Sequence, residues 1–83
     1  MKTSDAAWWT KARQARDRLV VDLLGHPAVS MIDIGLDPQG MSDTPVLRVH
    51  VRRGYPSFPN VPKEIEGFPV RVIESDYQLQ SGV

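Results

Sequence analysis

The chain has 83 residues, no cysteine, and ten basic residues balanced by ten acidic ones for a formal net charge of zero. That length allows a single domain with a thin core, and the missing thiols exclude a disulfide framework and a thiolate zinc site. Balanced charge removes any overall pull toward nucleic acid or anionic lipid.

The opening MKTSDAAWW lacks the apolar stretch of a secretory leader, and no apolar run approaches the roughly 20 residues that cross a bilayer. A cytoplasmic protein without membrane contact is therefore expected. Thr3, Ser4 or Asp5 can cap a helix by accepting a bond from an orphan first-turn amide. The helix then runs to about Leu24, because Trp8, Ala12, Ala15, Leu19 and Leu23 recur three or four residues apart and form one apolar stripe. Lys11, Gln14, Asp17, Arg18 and Asp22 fall away from it. Trp9 sits at the edge of the stripe, as a lid on the core. Gly25 is expected as a left-handed stop, with Pro27 forbidding continuation and His26 capping the last carbonyls.

From Val29 the period drops to two. Ile32, Ile34 and Leu36 share one face of a strand; Val29, Met31, Asp33 and Gly35 share the other. Asp37-Pro38-Gln39-Gly40 is turn chemistry and opens a polar loop, read as solvated, that extends to Pro45. A second strand, Val46 to Arg53, sends Leu47, Val49 and Val51 one way and Val46, Arg48, His50 and Arg52 the other. Proximity in sequence makes these two strands an antiparallel pair.

The stretch 54–59 is expected to be irregular. Pro62 to Glu66 fits one short helical turn ended by Gly67. Phe68 to Tyr77 fits a third strand, with Phe68, Val70 and Val72 on one face and Arg71 and Ile73 on the other. The few residues at each end are expected to fray.

The expected fold is α+β: one long N-terminal helix on a three-stranded, mostly antiparallel sheet, in the order helix, strand, strand, short helical turn, strand. The helix-covered core would hold Trp8, Leu19, Leu23, Ile32, Ile34, Leu36, Leu47, Val49, Val51, Val70 and Val72. The uncovered face would carry Met31, Asp33, Arg48, His50, Arg52, Arg71 and Ile73, and these form the candidate binding face. Arginine among partly apolar neighbours is interface composition, and Met31, Val46 and Ile73 on a bare sheet ask for cover. The bland reading of Asp33 is one carboxylate among surface cations.

Catalytic, cofactor and metal sites are not expected. Neither histidine, His26 or His50, sits near a GxSxG serine; Ser30 should point away from Asp33 and His50; and the Asp37–Asp43 loop does not follow the calcium-hand pattern. A nucleic-acid partner would need aromatics on the arginine face for base stacking, and the pattern puts none there.

Three segments carry a resemblance. Pro27-Ala28-Val29-Ser30-Met31-Ile32-Asp33-Ile34-Gly35, then Leu47-Arg48-Val49-His50-Val51, then Val61-Pro62-Lys63-Glu64-Ile65-Glu66-Gly67-Phe68-Pro69-Val70 together resemble a small bacterial domain of unknown function. That domain occurs alone or ahead of trypsin-like serine peptidase domains. The resemblance spans Leu24 to about Glu74 and implies a structural or interaction role, with no catalytic residue carried over. Gly35 and Gly67 stand where strands end or reverse, and positive φ is expected there.

The functional expectation is a non-catalytic module that binds another protein or a second copy of itself. Regulation of a separate enzyme such as a peptidase is the first alternative. Nucleic-acid binding through the arginine face is the second.

Overall fold

The computed structural model describes residues 6–54 and 59–75. Helix α1 spans Ala6–Leu23, and four strands follow: β1 (Val29–Gly35), β2 (Val46–Arg52), β3 (Glu64–Ile65) and β4 (Phe68–Ser75). The fold is α+β, an N-terminal helix followed by a mixed sheet in the order β1-β2-β4-β3. Among the described residues no helix is long and apolar enough to cross a membrane. The expected caps Thr3, Ser4 and Asp5, the frayed ends and Tyr77 lie outside the described residues.

The helix follows its stripe. Trp8, Ala12, Ala15, Leu19 and Leu23 are its buried residues. From Ala15 onward they cluster with Val29, Ile32, Leu47, Val49, Val51 and Val70 of the sheet. Small residues at positions 12 and 15 let the helix backbone approach the strands, and the leucines fill the gap toward its end. Trp9 is half-buried, edge-on to Trp8 with ring centroids 4.9 Å apart.

The helix exit differs from expectation. Gly25 is absent from the left-handed region, where Gly40, Gly54 and Gly67 stand. The backbone amide of His26 donates to the Leu23 carbonyl at 2.9 Å, so the main chain closes the helix. The His26 ring turns forward, and its Nδ1 accepts from the Ala28 amide at 3.0 Å.

Three further departures have physical causes. First, the β1–β2 register slips between Val29 and Met31, so Val29 pairs with Val51 while Met31 pairs with His50. Ser30 is the extra residue of a bulge, and one extra residue flips the side-chain alternation. Val29 therefore returns to the helix side, 5% exposed, instead of sharing Asp33's face.

Second, the segment expected as a helical turn is a hairpin. Glu64 pairs with Pro69 and Ile65 with Phe68. Between them Glu66 (φ 52°) and Gly67 (φ 88°) are both left-handed, which is what a two-residue turn matching strand twist requires. Gly67 makes that turn cheap; Glu66 bears its strain.

Third, β4 runs parallel to β2, with Leu47 beside Val70, Val49 beside Val72 and His50 beside Ile73. The connection after β2 is long enough to return along the sheet, and β3 then turns the chain into β4 alongside β2. Among the described residues the sheet thus has four strands, two antiparallel pairings and one parallel one.

Two expected core residues are on the surface. Leu36 is 79% exposed because it lies past the last β1–β2 pair. Val72 is 48% exposed; it faces the helix side, but α1 lies nearest β1 and its cover ends before this part of β4.

Candidate functional site

The strand alternation brings Met31, Asp33, Arg48, His50, Arg52, Arg71 and Ile73 to the face away from α1, as expected from the sequence. What they do there is mutual. Asp33 and Arg48 are cross-strand partners. The guanidinium grips the carboxylate with both prongs, Nε to Oδ1 at 2.9 Å and Nη2 to Oδ2 at 2.6 Å. His50 joins the same carboxylate, its Nε2 3.1 Å from Oδ1. A carboxylate only accepts, so the Nε2 proton must be present at this contact.

The guanidinium needs a particular seat. A Cβ built on Gly35 would strike Cζ of Arg48 and lie 2.8 Å from its Nε. Arg48 thus folds flat over the bare backbone of Gly35 to reach Asp33. Positive φ is not the reason for this glycine; room for a cation is.

Arg71 has its own acid. Its Nε and Nη2 donate to the two carboxylate oxygens of Asp37 at 3.0 and 3.3 Å. The same carboxylate accepts from the backbone amides of Gln39 (2.9 Å) and Met41 (3.1 Å). So the loop expected to be solvated is anchored instead, and the Asp37 side chain is only 1% exposed. Its cover is local, made by its own turn and Arg71 near the molecular surface. Val46, expected as a bare apolar residue on this face, is fully buried at the end where the loop returns.

The electrostatics follow from these contacts. The bond from Arg48, aided by His50, holds the Asp33 carboxyl below its ordinary pKa against the opposing effect of partial burial. Asp33 in turn raises Arg48. Arg71 and the two turn amides likewise hold Asp37 below the ordinary carboxylate value. Arg48 and Arg71 are neighbours across the parallel pairing, and each cation is matched by its own carboxylate. The face is densely charged yet close to neutral.

The remaining candidates are peripheral. Arg52 turns aside and donates to the Pro27 carbonyl at 3.0 Å. Met31 is 45% exposed and Ile73 is half-buried. Ser30 spends its hydroxyl on the backbone carbonyl of His50 at 3.2 Å, so the hydroxyl is engaged with main chain rather than with the imidazole. Among the described residues no three acidic or imidazole side chains gather as a cation site.

Two features were not read from the sequence. One is the Asp37–Arg71 bond, across 34 positions, for which the only local signal is the turn-forming Asp37-Pro38. The other is a cleft of about 350 Å³ where the first turns of α1, the start of β2 and the β3–β4 hairpin meet. Trp8, Lys11, Pro45, Phe68 and Pro69 line it. No local pattern joins residues so far apart in sequence.

No family model matches this chain, and neither does any curated protein or solved structure.

Proposed function

We propose that the protein works by binding protein without doing chemistry, and that its first partner is a second copy, paired through the outer edge of β1. The observation that carries this is the strand order. Among the described residues β1 has a neighbour on one side only, whereas β3 covers the start of the outer edge of β4. An uncovered edge presents a row of amides and carbonyls to any extended segment.

The arginine face supports this reading by what it withholds. Arg48 and Arg71 are already held bidentately by Asp33 and Asp37. An anionic partner, nucleic acid included, would have to displace both carboxylates. An edge asks for no such exchange. A second copy suits it because antiparallel strands pair about a two-fold axis with identical surfaces, and a chain of zero net charge does not repel itself. Exposed Met31 flanks that edge and gains cover in the pair.

Sedimentation across a wide concentration range tests the proposal. A concentration-dependent dimer is expected, weakened by Met31→Lys, since an edge lysine resists strand addition. A strict monomer at millimolar concentration removes the self-pairing reading. Weakening by Val72→Lys but not by Met31→Lys transfers it to β4.

A further inference from the structure

The cleft at the N-terminal end of α1 has the composition of a small-molecule site, and it lies apart from the β1 edge. Its walls are stiff. Trp8 is 7% exposed and is fixed edge-on between Trp9 and Phe68, with the Phe68 ring centroid 5.6 Å away. Pro45 and Pro69 form further rigid apolar surface. Gly67, held left-handed by the hairpin turn, places no side chain at the rim. A cleft so made is already shaped before a ligand arrives, which lowers the ordering cost of binding. Its volume of about 350 Å³ falls in the range of small-ligand pockets.

The polar groups of the cleft are few and unequal. Thr44 is engaged, its hydroxyl 3.2 Å from that of Ser42. The two prolines bring no amide donors. Among the described residues Lys11 is the one charged side chain lining the space, and no acidic group pairs with it. Aromatic walls alone would suit a cationic ligand, but an ammonium at the rim repels one. An unmatched cation beside a preformed aromatic and proline surface instead complements an apolar body that ends in one negative charge.

We infer that this cleft binds a small apolar carboxylic acid, its flat or branched body against Trp8, Phe68 and the prolines and its carboxylate at the Lys11 ammonium.

Titration of the full ¹⁵N-labelled chain with 3-phenylpropionate, followed by amide shifts at neutral pH, is the test, with 3-phenylpropanamide as the uncharged counterpart. Saturable shifts are expected at Trp8, Lys11, Thr44, Gly67 and Phe68, with the acid bound about three- to fivefold more tightly than the amide, as suits one solvent-facing ion pair. Lys11 is exposed, so Lys11→Gln should leave the fold intact. It should abolish that preference without changing the affinity for the amide, and added salt should do the same to the unaltered protein. Equal affinity for acid and amide overturns the assignment of the carboxylate to Lys11. Shifts centred elsewhere, or no saturable shift with either compound, overturn the site.

Discussion

The two faces of the sheet are held by different physics. Under α1, Leu19, Leu47, Val49 and Val51 are at most 1% exposed and pack by shape and area alone. On the other face, Asp33, Arg48 and His50, and then Asp37 and Arg71, are joined by directed, charge-assisted bonds that need particular distances and a bare glycine. Burial is proportional to area and indifferent to pH. Ion pairing is directional, answers to pH and salt, and fails if one partner is lost. One sheet therefore offers two independent ways to weaken it, distinguishable by what else they change.

The largest loss should come from the helix side. Leu47→Ala removes a fully buried side chain from the centre of the core and should cost about 3 kcal/mol in urea denaturation. The deficit should be the same at low and high salt. A strongly salt-dependent deficit would mean that the two faces are coupled.

Asp33→Asn comes next. It takes the ionised acceptor from Arg48 and His50 together, at a site where Asp33 and Arg48 are 29% and 26% exposed, so a loss of about 1–2 kcal/mol at neutral pH is expected. The pH dependence has a definite sign. Asp33 titrates lower in the native state than in the unfolded chain, so the unfolded chain takes up the proton first as pH falls. The stability it supplies is complete above the ordinary carboxylate value of about 3.9 and disappears as pH drops through the depressed native value. Asp37 acts in the same direction. Acid titration of Asp33→Asn by circular dichroism should accordingly give a shallower loss of stability below that value than the unaltered chain. An unchanged acid limb would remove Asp33 from the account.

Gly35→Ala tests the seat of the guanidinium. The new methyl meets Arg48, a flexible side chain that can shift, so a smaller loss of about 1 kcal/mol is expected. The decisive measurement is a double-mutant cycle: in an Arg48→Met background, where no guanidinium seeks the space over residue 35, much of the cost should vanish. Simple additivity would show that Gly35 matters for another reason.

Smallest, and opposite in sign, is Glu66→Asn. It relieves a left-handed glutamate at φ 52° and should stabilise by about 0.5 kcal/mol. The substitution also gives up the exposed Glu66–Arg18 ion pair at 3.3 Å, so the gain should be somewhat larger at high salt, where that pair is screened in the unaltered chain.

Local chemistry made much of this legible. The helix was readable because its stripe has a period no strand could share, and the face assignments of β1 and β2 from Met31 onward follow from simple alternation. The hairpin was not: Pro62-Lys63-Glu64-Ile65 suits a first helical turn as well as it suits a strand, and only pairing with Phe68 and Pro69 separates the two. The bulge at Ser30 was equally silent, since Val29-Ser30-Met31 alternates correctly in either register. Asp37 looked like an ordinary turn residue, and its partner Arg71 is supplied by a strand whose position depends on the parallel return of the chain.

By itself the sequence determined one amphipathic helix, two alternating strands, an arginine-bearing face opposite the helix, and the absence of thiol chemistry. These properties depend on residues within a few positions of one another, where periodicity and turn preference act directly. Tertiary structure alone decided the parallel placement of β4, the burial of Val46 and the exposure of Val72. It also decided that Arg48 and Arg71 on the open face are matched by carboxylates and that a cleft forms beside Trp8. Each of these depends on groups brought together across the chain, and distance in space is not encoded by any local run of residues.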